Sequence, residues 1–318
     1  MIDAHKRLIK FFRAYWLTTI FSVVGIFFLT SYVVFNRYAW SQKKLKKYGY
    51  QAYNSEIQKN LFKKFSVELV SLKTNDDLGL KAWWVERNAP RGSLVLCHGY
   101  RDSKEDLASL VTLFPDFNII IFDFRAHGQS DGVYTTFGDH EYQDVLAALD
   151  FVKEKTKSLS SRDRRHLIIG MGFSMGAAAL LKAATMRPIG FDALVLDSMF
   201  ADLPGVLSDA YNRRIGYLKF PVMNIAKRFL NYYANADVDG VRPLDWVAEI
   251  RTPMLFIHSS SDAIIPASDS CKLYSAAKSA DFARMWVTPA CLHAQAHRTF
   301  PYDYRRKVIK FLTEHVVA

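Results

Sequence analysis

The sequence predicts an α/β fold, a mostly parallel β-sheet with helices packed on both faces. Three observations predict it. Short β-rich runs alternate with helical patterns after residue 65, and that order builds a parallel sheet from β-α-β units. Several runs are apolar throughout, such as Leu94-Val95-Leu96 and Ile119-Ile120-Ile121, as strands covered on both faces are. The 318 residues are 50% apolar and 23% charged. That suffices for one large α/β domain with additions and excludes a disordered chain.

Residues 16–35, WLTTIFSVVGIFFLTSYVVF, carry no charge. A helix of that length spans a hydrocarbon core of about 30 Å. Tyr15, Trp16, Tyr38 and Trp40 bracket the run, as interfacial aromatic belts do. Lys43, Lys44, Lys46 and Lys47 follow, a cluster drawn to anionic headgroups. Residues 1–40 are therefore expected to be a retained, single-pass N-terminal membrane anchor with one transmembrane helix. A cleaved signal peptide and a buried core helix are the alternatives. The run is long for a signal sequence, and no A-x-A-like site follows it. Lys6, Arg7, Lys10 and Arg13 precede the span and Arg37 joins the lysines after it, so positive charge does not orient it.

Residues 41–64 read as a basic, partly helical linker, and residues 65–318 as the folded domain. Strands are expected near 67–73, 80–86, 93–97, 118–123, 166–171, 193–197, 254–258 and 284–288. Helices are expected near 103–114, 139–157, 175–186, 267–279 and 303–316. No helix separates the first two strands, so a hairpin should start the sheet. More than fifty residues lie between the strands at 193–197 and 254–258. Helical apolar patterns around 206–234, with Pro204, Pro221 and Pro243, mark a cap insertion at about 200–248. An insertion of this length in an α/β sheet is usually functional.

Charge and cysteine use exclude other classes. The net charge is +11, but residues 1–64 hold 12 Lys and Arg against 2 Asp and Glu. The remaining residues hold 30 basic against 29 acidic groups and are nearly neutral. A nucleic-acid groove needs that charge spread over a folded face, so nucleic acid is not an expected partner. Cys97, Cys271 and Cys291 are too few for a disulfide scaffold and lack metal-ligand spacing. No metal is expected. No P-loop, H-E-x-x-H or dinucleotide fingerprint is present, and no cofactor is expected.

The sharpest chemical signal is Gly172-Phe173-Ser174-Met175-Gly176. An apolar strand pattern, Leu167-Ile168-Ile169, enters it and an alanine-rich helical pattern leaves it. A serine on such a sharp strand-to-helix turn projects its hydroxyl from the sheet, and the glycines allow close approach of neighbouring backbone. The helix N-terminus favours developing negative charge. Ser174 is the candidate nucleophile. It needs a base, and the base needs an orienting acid. Asp262 follows the strand Met254-Leu255-Phe256-Ile257-His258, at the carboxyl end where sites of open α/β sheets assemble. Asp197 is its rival. His293 and His297 both follow the last strand. His293 lies nearer the strand end and is the candidate base, with His297 as a polar loop residue. The oxyanion would rest on the backbone N–H of Met175 and on that of Tyr100, in the loop His98-Gly99-Tyr100-Arg101. His98 is expected to shape that loop.

Together these residues give a resemblance. The chain resembles the α/β-hydrolase superfamily over residues 65–318, and looks like its membrane-anchored bacterial serine hydrolases of the esterase or peptidase-like kind. The resemblance rests on His98-Gly99, on Asp123-Phe124-Arg125-Ala126-His127-Gly128-Gln129-Ser130-Asp131-Gly132, and on G-x-S-x-G at 172–176. Asp197-Ser198, Pro253-Met254-Leu255-Phe256-Ile257-His258, the turn from Asp262 to Pro266, and His293 complete it. Ser259 stands where members often have glycine. The resemblance implies an α/β-hydrolase fold, the chain order Ser174, Asp262, His293, and a structural role for the 123–131 segment. It implies a serine hydrolase acting on an ester or related acyl bond of a small-molecule or lipid-like substrate, first as a carboxylesterase or lipase-like enzyme. A peptidase, amidase or thioesterase is the second reading. A non-catalytic binding module on the same fold is the reading from another class.

Overall fold

A computed structural model describes residues 2–38, 50–159, 166–215 and 219–316. Eight strands form its centre: β1 (Val67–Lys73), β2 (Gly79–Val85), β3 (Gly92–Cys97), β4 (Asn118–Phe122), β5 (Leu167–Phe173), β6 (Ala193–Asp197), β7 (Met254–Ser259) and β8 (Ala283–Thr288). Each begins and ends within about two residues of its expected position. Their spatial order is β1-β2-β4-β3-β5-β6-β7-β8. The hairpin β1–β2 is antiparallel, and β2 runs antiparallel to β4. The rest of the sheet is parallel.

Successive strand residues point to opposite faces, and both faces are covered. From β3 and β4, Leu94, Leu96, Ile119 and Ile121 pack under α3 (Ser109–Leu113) and α11 (Pro301–His315). Their neighbours Val95, Cys97, Ile120 and Phe122 pack under α4 (Tyr142–Lys155) and α5 (Met175–Met186). That is why these runs carry no polar alternation. At the β7 end of the sheet, α9 (Ala267–Ala276) contributes Leu273 to the same layer as α4 and α5.

The segment read as a linker is more ordered than its basic composition suggests. Residues 50–64 form α2 (Tyr50–Lys64). Leu61 is buried in the core, and Phe62 meets Trp83 edge-on at 5.7 Å. Residues 41–49, with Lys43, Lys44, Lys46 and Lys47, lie outside the described residues, as does Trp40.

The N-terminal segment is a 37-residue helix, α1 (Ile2–Tyr38). Its side chains are described at 15–16 and 19–35. Among the described residues no helix is long and apolar enough to cross a membrane, so a membrane-spanning helix at 16–35 is not supported by the structure. Instead the end of α1 packs on the insertion between β6 and β7. That insertion holds α6 (Leu203–Ile215), α7 (Lys219–Ala234) and α8 (Pro243–Val247). Val222, Ala226 and Leu230, four residues apart on α7, are its buried face. Tyr217 and Leu218 lie outside the described residues, as do the side chains of Tyr211 and Phe220. Asp139 ties the insertion down: its carboxylate accepts the Asp237 N–H at 2.8 Å and the Lys182 ammonium at 2.6 Å.

Candidate active site

The site is built where β3, β5, β6, β7 and β8 end. Ser174 follows β5 and begins α5, at φ +52° and ψ −117°. A residue with a side chain rarely adopts that region, and its strain persists only where the surroundings impose it. Here the Ser174 N–H donates to the Asp197 carbonyl at 2.8 Å, and the Ser174 carbonyl accepts the Ala177 and Ala178 N–H groups. Gly176 is required by contact: a Cβ there would lie 2.3 Å from the Cys97 carbonyl oxygen and 2.4 Å from that of His98. A Cβ at Gly99 would lie 3.6 Å from Ser174 Cβ. The loop carrying Tyr100 therefore passes directly beside the serine.

His293 stands on the loop after β8. Its Nδ1 is 2.6 Å from Asp262 Oδ2 and its Nε2 is 2.8 Å from Ser174 Oγ. A carboxylate only accepts, so Nδ1 carries the hydrogen and donates it. Nε2 is then the lone-pair nitrogen and accepts the Ser174 hydroxyl. The loop is held by Ser198, whose hydroxyl accepts the Ala294 N–H at 3.1 Å. On the other side, Ser259 Oγ donates to the Cys291 carbonyl at 2.7 Å and accepts the Cys291 N–H at 3.0 Å. Ser259, which replaces a common glycine, thus staples the histidine loop to β7.

The Asp262 side chain is buried, although the residue as a whole is only half-buried. Its Oδ1 accepts the N–H groups of Ile264 and Ile265 at 2.9 and 3.0 Å. Burial opposes its ionisation, but hydrogen bonds from His258 and His293 outweigh that and hold it well below the usual carboxylate range. His258 Nε2 donates to the Ile265 carbonyl at 3.0 Å and lies 3.4 Å from Asp262 Oδ2. Its Nδ1 is 2.6 Å from Ser270 Oγ. Burial would lower the pKa of His258, but Asp262 and the Ile265 carbonyl more than offset it, so the net shift is upward. His258 is a support that sequence reasoning missed. The available signal was a histidine ending an otherwise apolar strand, four residues before the acid.

Asp197, the rival acid, is buried at the end of β6 and bonded to Ser198 Oγ at 2.9 Å, not to His293. Burial pushes it up to about 6, with the Ser198 and Tyr304 hydroxyls offsetting part of the cost. His297 is not the polar loop residue expected. It is buried in α10 (Ala296–Thr299), its ring packed on Phe173 and Tyr304, and burial pushes it down to about 3.

The loop at 98–101 has its own scaffold. His98 Nδ1 donates to the Gly99 carbonyl at 2.7 Å, and Nε2 accepts the Phe124 N–H at 3.0 Å. Burial drives His98 down to about 3 and keeps it neutral. His127 Nδ1 donates to the Arg125 carbonyl while its Nε2 accepts the Arg101 N–H. Beneath them the Lys104 ammonium, almost fully buried, bonds Asp123 Oδ2 at 2.6 Å and Gln129 Oε1 at 3.1 Å. Arg125 is bonded at once by Asp76 and Asp144. The 123–131 segment is thus a buried polar frame beside the site. Among the described residues no group of His, Cys, Asp or Glu is arranged to hold a metal ion.

Known proteins agree with this architecture. The model of the alpha/beta hydrolase family matches residues 94–309. The Bacillus subtilis protein YqkD is 32% identical over 238 residues, 73% of this chain and 75% of its own. The esterase Pf2001 of Pyrococcus furiosus is 26% identical, with a TM-score of 0.62 over 81% of this chain and 95% of its own. An acylaminoacyl peptidase from Pyrococcus horikoshii shares the fold at 16% identity, with a TM-score of 0.55 over 81% of this chain and 44% of its own.

Proposed function

Because the chain belongs to the alpha/beta hydrolase family, we propose that it is a serine hydrolase cleaving an ester or related acyl bond. One observation carries this: the unbroken line of hydrogen bonds from Ser174 Oγ through the His293 ring to Asp262, at 2.8 and 2.6 Å. His293 Nε2 takes the Ser174 proton as Oγ attacks the acyl carbon. The imidazolium keeps its Nδ1–H on Asp262, whose carboxylate stabilises the new positive charge. The oxyanion rests on the N–H groups of Met175 and Tyr100. His293 then returns its proton to the leaving alkoxide. A water, deprotonated by the same Nε2, releases the acid and restores Ser174.

Substrate preference is for apolar, lipid-like acyl esters, with the insertion at 200–248 as a wall over the acyl chain. The motive is that the insertion leaves the sheet at the end of β6, where its apolar residues Leu203 and Leu230 share a buried cluster with Ala178 of α5 and Tyr100 packs against it. Localisation at a membrane through α1 belongs to the same reading. Phe21, Ile26, Phe28, Leu29 and Val33 are exposed along that helix, an apolar surface larger than water tolerates on an isolated protein. Resistance to carbonate extraction tests it, and free release of the full chain would refute it.

The activity test is direct. A fluorophosphonate should label the full chain once, at Ser174. A panel of p-nitrophenyl esters, thioesters and aminoacyl amides should show ester turnover that Ser174→Ala lowers by about 10⁴ or more. Unchanged turnover in Ser174→Ala, or no labelling and no turnover in the parent, would overturn the reading. Label without turnover on any ester would favour the amide or thioester alternatives.

A further inference from the structure

Strand β6 runs between β5, which delivers Ser174, and β7, which leads to Asp262. At its end Asp197 lies level with Phe173 of β5 and Ile257 of β7. The backbone of Asp197 and Ser198 is bonded to both neighbours. The Asp197 carbonyl accepts the Ser174 N–H at 2.8 Å, and the Ser198 N–H donates to the Ile257 carbonyl at 2.8 Å. Ser198 then turns with φ +54°, in the left-handed region. A glycine would adopt that backbone freely, whereas a serine there carries strain that its surroundings must offset.

What the serine adds is a buried hydroxyl. Its one hydrogen goes to Asp197 Oδ1 at 2.9 Å, and a lone pair accepts the Ala294 N–H at 3.1 Å. Ala294 follows His293 directly and is itself left-handed, at φ +55°. The histidine is therefore held from both sides, by Ser259 through Cys291 two residues before it and by Ser198 one residue after it. The two anchors differ in what they connect. Ser259 ties the loop to β7, the strand before the acid. Ser198 ties it to the strand end that also fixes the Ser174 backbone. From Ser198 to the nucleophile the path is one peptide unit and one hydrogen bond.

We propose that Ser198 is a positioning residue that sets the separation of His293 from Ser174, with Asp197 fixing the direction of its hydroxyl. The proposal rests on the serine-hydrolase reading above. Without the hydroxyl, Ala294 loses its anchor. The His293 ring, still bonded to Asp262 through Nδ1, then gains freedom to leave the 2.8 Å contact between its Nε2 and Ser174 Oγ. Proton transfer needs that contact, and misplacement by about 1 Å costs about 10²-fold in rate. Substrate binding does not use it, so the loss falls on kcat and not on KM.

The test measures kcat and KM for an acetyl ester, the rate of fluorophosphonate labelling, and Tm, all in the full chain. Labelling needs the same contact between His293 and Ser174 but no knowledge of the natural substrate. Ser198→Gly removes the hydroxyl and relieves the backbone. It should lower kcat and the labelling rate by about 10–10²-fold and leave KM within about twofold. Given time, it should still bind one equivalent of label per chain. Ser198→Thr keeps the hydroxyl but sets a β-branched residue at positive φ. It should lower Tm and keep kcat within about threefold of the parent. A serine that served only the fold predicts the reverse, with activity following Tm. Should Ser198→Thr not fold, Ser198→Ala takes its place. It lacks the hydroxyl as Ser198→Gly does and differs in strain, so the two should lose equal kcat at unequal Tm. A kcat for Ser198→Gly within about threefold of the parent, or activity that tracks Tm across the variants, would overturn the positioning role and leave the hydrolase standing. A parent that neither labels at Ser174 nor turns over any ester takes both readings down.

Discussion

Asp262→Asn isolates one link of the proposed mechanism. Every group within hydrogen-bonding reach of the carboxylate is a donor: two backbone N–H groups on Oδ1, and His293 on Oδ2 with His258 at 3.4 Å. An asparagine replaces one acceptor with a donor. Turned toward Ile264 and Ile265, the amide NH₂ faces two N–H groups and leaves them unsatisfied, a cost of about 1–3 kcal/mol each. The amide oxygen is therefore held there, and the NH₂ faces His293 Nδ1. A neutral His293 then accepts at Nδ1 and carries its hydrogen on Nε2. That is the wrong tautomer, because Nε2 has no lone pair left for the Ser174 proton.

The loss also includes the carboxylate's stabilisation of the imidazolium. Together these are expected to lower kcat by about 10³–10⁴, or about 4–5.5 kcal/mol. The assay is steady-state turnover of an acetyl ester from pH 5 to 9, beside the rate of fluorophosphonate labelling. Both should fall, and raising the pH should restore part of the rate. Turnover within tenfold of the parent would refute the reasoning. If that turnover were then abolished by Asp197→Asn, the buried aspartate on β6 would be the acid, and His293 would have to swing from its place in this structure.

Stability supplies further tests. Asp197 is held near 6, above its unfolded value of about 3.9. The folded state therefore resists its ionisation, and the cost appears as pH rises through 4 to 6. Asp197→Asn should change little at pH 4 and stabilise by about 2–3 kcal/mol at pH 8, read as a pH-dependent shift in Tm. Asp262 has the opposite sign. Its folded pKa is depressed, so its stabilisation is present above about pH 4 and is lost as pH falls further. Asp262→Asn should cost stability at pH 7 and much less near pH 2, by chemical denaturation at each pH. Lys104→Met strands the Asp123 carboxylate in the frame beneath the 98–101 loop and should cost about 3–5 kcal/mol. Adding Asp123→Leu should recover part of that midpoint in denaturant. Gly176→Ala drives a methyl group into the Cys97 and His98 carbonyls and should lower both Tm and labelling rate. Unchanged labelling there would mean that the 98–101 loop does not press on the elbow.

What the sequence revealed follows from which forces are local. Ile119-Ile120-Ile121 is legible as a strand because both of its faces are buried, so its burial needs no knowledge of its partners. Ser174 is legible because the turn it occupies demands Gly176 within two residues. Asp262 and His293 were placed by chain order at strand ends, and the structure sets His293 between Ser174 and Asp262. His297 was misread because its histidine type suggests a polar site, whereas Phe173 and Tyr304, 124 and 7 positions away, bury it. The helix at 50–64 agrees with the partly helical reading of 41–64, but its packing was not legible. Its surface is basic, and only Leu61 and its neighbours touch the core. The role of His258 needed Ser270 and the Ile265 carbonyl in three dimensions.

Chemistry and the seating of the insertion are encoded in different parts of this chain. The nucleophile, acid and base, with their backbone supports, all lie within the residues matched to the family, 94–309. They are fixed by strand ends and short loops, where a shift of one residue would break a hydrogen bond of 2.6 or 2.8 Å. Phe35 lies outside that range, and its ring packs on Tyr233 and Phe229 of α7 and on Tyr134. Substitution there should therefore cost stability and leave bond chemistry to the triad. Phe35→Ala should cost about 3–5 kcal/mol, read as the denaturant midpoint of the full chain, whereas Leu29→Ala, at an exposed position of the same helix, should cost little. Equal midpoints for the two variants would mean that the α1 seam does not hold the insertion in place.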